Sequence, residues 1–284
     1  MMTTMSAVCP FCTSSLSSLP IESDRWRFFR CSGCGYWTSR TTQNRFPEME
    51  YNDTPTFDLS PGHDWDKIVS QAVPILAKKF QLAGKRGGRF LDIGCSEGVY
   101  LAASAKLGWQ AVGLDVDRAK LIRAKARGLD VRSVDVCDPA AVLTEFDFVL
   151  LRHVIEHIPD FLALSRSAAR FLASDGVMCI ECPNHVGVAA LLSRRRLKDS
   201  RFLGNLYPPT HIHAFEPTTF RKLATSLDMK CINVLTYSQS DPNWFLPSHY
   251  SGARLKAAAQ RLTAQMGRGG NIAAFYVRNG CSGN

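Results

Sequence analysis

Three groups of residues carry chemistry in this 284-residue chain. The first is Cys9-Pro-Phe-Cys12 with Cys31-Ser-Gly-Cys34, two C-x2-C pairs with eighteen residues between them. Each pair brings two thiolates to one ion, and two pairs complete a closed tetrahedral shell, the chemistry of a structural Zn2+ site. The second group is Asp92-x-Gly94-Cys95-x-x-Gly98, with Asp115 following 23 positions after Asp92. Glycines at such a turn let a ligand lie across the backbone beyond a strand, and an acid at that distance takes ribose hydroxyls. The spacing is not the G-x-G-x-x-G of a dinucleotide site. Glu97 also sets a carboxylate where a pyrophosphate needs open N–H groups, so a zwitterionic sulfonium is the better fit. The third group is rich in histidine: His153 and Glu156-His157 after an apolar run, then His185, His211 and His213. An imidazole titrating near neutrality suits a base that takes a proton from an acceptor.

These groups need elements to hold them. Residues 89–93 read as a strand, 97–107 as a helix and 111–114 as a second strand, which makes one βαβ unit. A helix over 118–127, strands over 129–134 and 146–151, a helix over 161–172 and a strand over 176–181 continue the alternation. That alternation implies a parallel sheet with right-handed crossovers. The last third predicts a helix over 220–227, a strand over 230–237, a helix near 253–265 and a final strand over 271–278. Upstream, a helix over 63–83 ends at Gly84 and contains Pro74, which would kink or divide it. The stretch 182–216 is too long for an ordinary connection and reads as an insertion over the active face.

LDIGCSEG followed by GLDVD resembles motif I and the ribose acid of class I S-adenosylmethionine (SAM)-dependent methyltransferases. Glu156-His157-Ile158-Pro159-Asp160 is similar to the EHxPD-like string of members with small-molecule substrates, among them the ubiquinone-biosynthesis O-methyltransferases. The resemblance covers roughly 89–279. It implies an α/β, Rossmann-like, seven-stranded sheet with an antiparallel last strand, beside a small N-terminal zinc ribbon. The expected organisation is a ribbon over 1–45, a linker and helical lid over 46–88 with Tyr51 and the stretch around Trp65, and the methyltransferase domain over 89–284.

By the same resemblance, Asp92 and the turn Gly94, Cys95 to Gly98 hold the methionine part of SAM, Asp115 binds the ribose, and Val116 joins the cofactor-binding set. Asp135 and Val136 flank the adenine, with Asp138 competing for the role of Asp135, and Arg152 joins the cofactor side at the end of the fourth strand. Cys95 itself reads as a small filler rather than a nucleophile. The catalytic candidates are His153, Glu156, His157, His211 and His213. His153 and His157 would share a face if their segment were helical. HIHAFEPTTF is similar to the H-x-H-x-F-[ST]-like string that precedes the corresponding helix in small-molecule and sugar-modifying members. His153 stands where the ubiquinone enzymes usually carry an acid that helps bind a divalent cation.

Composition narrows the setting. The chain is 45% hydrophobic and carries a formal charge of +9, which favours anionic partners such as phosphorylated or carboxylated small molecules or RNA. Arg194-Arg195-Arg196 with Lys198 could bind such a group or form a solvated helix face. The aromatics and arginines of 24–30 suit stacking on single-stranded nucleic acid, but packing around the metal explains them better. No apolar run reaches the roughly 18 to 20 residues of a membrane helix, and the first residues lack a signal peptide's basic start and apolar centre, so a cytoplasmic protein is expected. Nothing here selects an oligomeric state. The expected activity is methyl transfer from SAM to a small metabolite, natural-product intermediate or activated sugar, with oxygen ahead of carbon or nitrogen. RNA methylation is the rival, against which no N-P-P-Y-like string follows the fourth strand. A scaffold that keeps the fold without turnover is the third reading.

Overall fold

The cysteine-bearing segment builds three short strands, β1 (Leu16–Ser18), β2 (Trp26–Cys31) and β3 (Trp37–Thr41), in a computed structural model that describes residues 8–21, 25–43, 64–138, 145–188, 190–191, 204–237 and 262–280. They pair antiparallel, Ser17 opposite Arg30 and Phe28 opposite Ser39. In β2, Trp26 and Phe28 are buried while Arg27 and Arg30 face out. Arg30, two residues on from Phe28, lies over the Trp37 ring and pairs with Glu216.

Helix α1 (Trp65–Leu82) starts where Asp64 accepts the Lys67 N–H and stops before Gly84, whose φ of 69° ends the helical path. Pro74 lies inside it without dividing it. Its apolar face, Val69, Ala72, Ile75, Leu76 and Phe80, joins a core with Phe90 and Phe148, and Phe80 stacks on Trp109 at 3.8 Å. Of the linker and helical lid expected over 46–88, residues 64–88 are described, and α1 within them packs its apolar face on the core. Tyr51 lies outside the described residues.

The main domain runs β4 (Arg89–Ile93), α2 (Val99–Lys106), β5 (Gln110–Leu114), α3 (Arg118–Ala126), β6 (Val131–Arg132), β7 (Phe146–Arg152), α4 (Phe161–Arg170), β8 (Leu172–Pro183), β9 (His213–Ala214), α5 (Pro217–Ser226), β10 (Met229–Tyr237) and β11 (Asn271–Arg278). Seven of these strands form one sheet in the order β10-β11-β8-β7-β4-β5-β6. The pairs from β8 to β6 are parallel, and β11 is antiparallel to both of its neighbours. Phe148 to Leu151 in β7 are fully buried, as a parallel strand covered on both faces requires. The third strand is shorter than its sequence suggests and the fifth longer. Of the helix expected near 253–265, only 262–265 is described, and it is helical. Arg194 to Arg196 and Lys198 lie outside the described residues.

Strand β9 does not join this sheet. It pairs antiparallel with β3, Trp37 opposite Ala214 and Thr38 opposite His213, and completes a four-stranded sheet β1-β2-β3-β9. Phe11 stacks on Phe161 at 5.3 Å and meets Tyr36 edge-on at 5.0 Å, inside the apolar cluster that also holds Phe215. The ribbon segment therefore shares a sheet and a core with the main domain. No described helix is long and apolar enough to cross a membrane.

Candidate functional site

Three left-handed residues in five, Gly94 (φ 76°), Ser96 (φ 52°) and Gly98 (φ 83°), fold the chain sharply after β4. The N–H groups of Gly94 and Cys95 both donate to the Leu114 carbonyl, which ties this turn to the end of β5. A Cβ at Gly94 would lie 2.5 Å from Val154 Cγ2, so only glycine lets the turn after β7 approach. Cys95 is buried with its sulfur against Gly113, in keeping with a filler. Asp115, just past β5, accepts from the Ser96 N–H at 2.7 Å and the Asp117 N–H at 2.9 Å, and so bridges the two turns. The Asp92 side chain is buried, and its carboxyl takes no hydrogen bond from the described residues. Burial pushes its carboxyl up to about 8 although the Arg152 cation opposes the shift. A buried carboxyl so placed fits a cationic ligand, since an ammonium or sulfonium would restore its charged form.

Glu97 is a correction. Its carboxylate is buried, takes a hydrogen bond from Arg123 Nε and is ion-paired with Arg127 Nη1, each at 2.9 Å, and Arg127 lies over the Trp65 ring. It does not screen the first N–H groups of α2, so the exclusion of a pyrophosphate rests on glycine spacing alone. Val116 is exposed, and Asp135, also exposed, accepts the Cys137 N–H at 2.8 Å. Val136 is buried in the apolar core. Arg152 Nε donates to Glu181 Oε1 at 2.8 Å, and its guanidinium lies over Tyr100. Glu181, at the end of β8, also pairs with the fully buried Lys79 of α1. Burial raises Glu181, but the Lys79 and Arg152 cations outweigh it and hold the carboxyl at about 2.

After β7 the chain turns rather than continuing as a helix, so His153 and His157 do not share a helical face. His153 adopts φ 53°, with Nδ1 3.2 Å from Glu156 Oε1 and Nε2 3.8 Å from Glu181 Oε1. His157 Nδ1 donates to the Thr210 carbonyl at 2.8 Å, which leaves Nε2 as the ring nitrogen available to accept a proton. His211 meets the His157 ring edge-on, and both of its nitrogens are engaged, Nδ1 with Asn205 O and Nε2 with the Tyr207 hydroxyl. Burial pushes His211 down to about 4. Glu156 is buried, and its Oε2 takes no hydrogen bond among the described residues. Burial opposes its charge, but the His153 hydrogen bond and the neighbouring imidazoles hold it at about 2. Glu156, His157 and His211 place ligand-type atoms within 4.8 Å of one another, a spacing that a cation can also use.

His213 is corrected as a catalytic candidate. It is fully buried, Nδ1 accepts from the Tyr36 hydroxyl at 2.7 Å and Nε2 donates to the Ile158 carbonyl at 3.1 Å. Burial lowers it to about 3, so it is a neutral structural ring. His185 is likewise buried, against the Trp37 ring at 4.6 Å.

The sulfurs of Cys9, Cys12, Cys31 and Cys34 lie within 4.8 Å of one another, with Cys9 to Cys34 at 3.5 Å and Cys12 to Cys31 at 3.4 Å. A tetrahedron with 2.3 Å zinc–sulfur bonds has edges of about 3.8 Å, so the set fits a four-thiolate ion with small adjustment. Sequence reasoning missed the Lys79–Glu181–Arg152 network. The available signal was a lysine inside the apolar stripe of a helix, next in line to Ile75, Leu76 and Phe80.

Residues 65–234 match the family described as methyltransferase domain. A ubiquinone biosynthesis O-methyltransferase of Xanthomonas oryzae pv. oryzae is 33% identical over 114 residues, which cover 38% of this chain and 48% of that protein. Its namesake in Rhodopseudomonas palustris is 30% identical over 144 residues, covering 46% and 56%. The chain thus spans about half the length of the curated relatives it matches. A solved SAM-dependent methyltransferase from Archaeoglobus fulgidus superposes with a TM-score of 0.52 at 16% identity, over 75% of this chain and 94% of that one, a likeness of fold.

Proposed function

The chain belongs to the methyltransferase-domain family, and on that premise we propose that it carries the methyl group of SAM to a hydroxyl of a small-molecule acceptor, with His157 as the base. The observation that carries this reading is the neighbourhood of two turns. The Asp92 to Gly98 turn, bridged to Asp115, and the His153 to His157 turn meet where Gly94 touches Val154.

The residues divide the work by their chemistry. Bound SAM supplies an electrophilic methyl whose sulfur leaves as a neutral sulfide. Asp115 keeps lone pairs beyond those given to Ser96 and Asp117, and these suit ribose hydroxyls. Asp92, once ionised, faces the cationic end. His157 Nε2 takes the acceptor's hydroxyl proton as the new oxygen–carbon bond forms, and the ionised Glu156 beside it stabilises the resulting imidazolium. Orientation supplies much of the rate, because acceptor oxygen, methyl and sulfur must be in line. Cys9, Cys12, Cys31 and Cys34 are assigned as the ligands of a structural Zn2+ ion.

Methyl-labelled SAM incubated with the protein and a fractionated cell extract tests the reading. Label should enter the small-molecule fraction in base-stable, oxygen-linked form. Label confined to RNA would overturn the acceptor class, and calorimetry that finds no SAM binding would overturn the activity itself.

A further inference from the structure

The segment that carries His211 and His213 is hydrogen bonded on one side to the cysteine segment and on the other to the Glu156–His157 turn. On the cysteine side, the Cys34 carbonyl accepts from the hydroxyls of Thr218 at 3.0 Å and Thr219 at 2.9 Å. Trp37 Nε1 donates to Glu216 at 2.9 Å. Tyr36, two residues past Cys34, donates to His213 Nδ1, and Thr38 Oγ1 lies 3.1 Å from the same nitrogen. The Ser39 N–H donates to the Ile212 carbonyl at 2.9 Å. On the other side, the N–H groups of Ile212 and His213 both donate to the Glu156 carbonyl, at 3.0 and 3.1 Å. His213 Nε2 reaches Ile158, and the Thr210 carbonyl receives His157 Nδ1–H. Glu156 and His157 therefore hang on a segment whose other side is bonded to the ribbon.

We propose that the four-cysteine knuckle, acting through Tyr36, Thr38 and His213, is the positioning device of the acceptor side: the filled sulfur site sets the 205–216 segment and thereby the orientation of His157 and His211. This rests on the methyl-transfer reading for what the histidines do and on a metal ion for what fills the sulfurs. The physical argument is one of rigidity. A segment as short as β1 to β3 holds its knuckles in place through the metal, because metal binding free energy is folding free energy in such small units. A fully buried His213 has one arrangement that satisfies both nitrogens, Nε2–H toward Ile158 and Nδ1 accepting from Tyr36, so it passes the knuckle's position to the turn. The cofactor side hangs on β4 and β5 instead, and none of the hydrogen bonds described for Asp92, the 94–98 turn or Asp115 involves the ribbon.

The test uses the full chain, before and after metal is stripped with a chelator, together with Tyr36→Phe, which keeps the ring and removes the donor. Hydrogen exchange is read by peptide, and S-adenosylhomocysteine affinity by calorimetry. Stripping should speed exchange in 205–216 and 153–158 by about tenfold or more, and Tyr36→Phe should do so in the same peptides to a smaller degree. Exchange in β4 and β5 and the affinity for S-adenosylhomocysteine should change by less than about twofold. With a labelled acceptor in hand, Tyr36→Phe should lower kcat and leave the KM for SAM unchanged. Unchanged exchange in 205–216 after proven metal loss would overturn the proposal, as would loss of S-adenosylhomocysteine affinity in parallel with it. If the purified chain holds no metal, the ion's role is refuted and Tyr36→Phe alone decides whether the knuckle positions the turn. An intact exchange response without any methyl transfer would refute the activity and support the coupling.

Discussion

Asp92 illustrates how burial, rather than sequence position, sets what a carboxyl can do. Held at about 8, it is mostly protonated at pH 7, and a cationic ligand beside it should drive the proton off. SAM binding at pH 7 is therefore expected to release protons, measurable by calorimetry in buffers of different ionisation enthalpy, and Asp92→Asn should abolish the release. Equal proton release in wild type and variant would remove Asp92 from the cationic end. His157 is argued at the same scale. His157→Gln should lower kcat by about 10²- to 10⁴-fold and leave S-adenosylhomocysteine affinity intact. Normal turnover in that variant would exclude it as the base. The motif residues Asp92, Gly94, Gly98 and Asp115 were legible because their spacing is local. The division among the five histidines was not, because it depends on partners such as Tyr36 for His213 and Thr210 for His157 that lie far away in sequence.

At the scale of elements, α1 is fastened to the sheet by more than its apolar face. Lys79 is fully buried with Glu181, which also binds Arg152. Removing one partner leaves a buried charge less compensated, so Lys79→Met should cost about 3 to 5 kcal/mol in urea unfolding, toward the lower end because Arg152 remains. A loss under about 1 kcal/mol would mean that water reaches the site. The turn after β4 gives a second contrast. Gly94→Ala combines φ 76° with a clash at Val154 and should weaken S-adenosylhomocysteine binding, whereas Gly84→Ala meets no atom within 4 Å and should leave binding unchanged. Periodicity revealed α1 as a helix but not its partner, since an apolar stripe has the same appearance in a lid and in a core helix.

For the whole molecule, Glu156 and Glu181 make stability depend on acid. Both carboxyls lie near 2 in the folded chain, below their ordinary value of 4.5. Their contribution is thus fully present above about pH 4.5 and is lost as pH falls toward 2. Glu181→Gln should flatten that acid limb in denaturant titrations between pH 5 and about 2, and an unchanged slope would contradict the ion pairing. By itself the sequence determined the glycine turn, the acid that follows it at Asp115, the four-sulfur set and the alternation of strands and helices, because each is written in neighbouring residues or in a short period. Only the tertiary structure decided that β9 completes the ribbon's sheet, that Glu97 turns to Arg123 and Arg127, that α1 is core, and that His213 is structural. Each of those outcomes depends on which distant surfaces exclude water together, and contacts between residues from tens to more than a hundred positions apart leave no periodic signal along the chain.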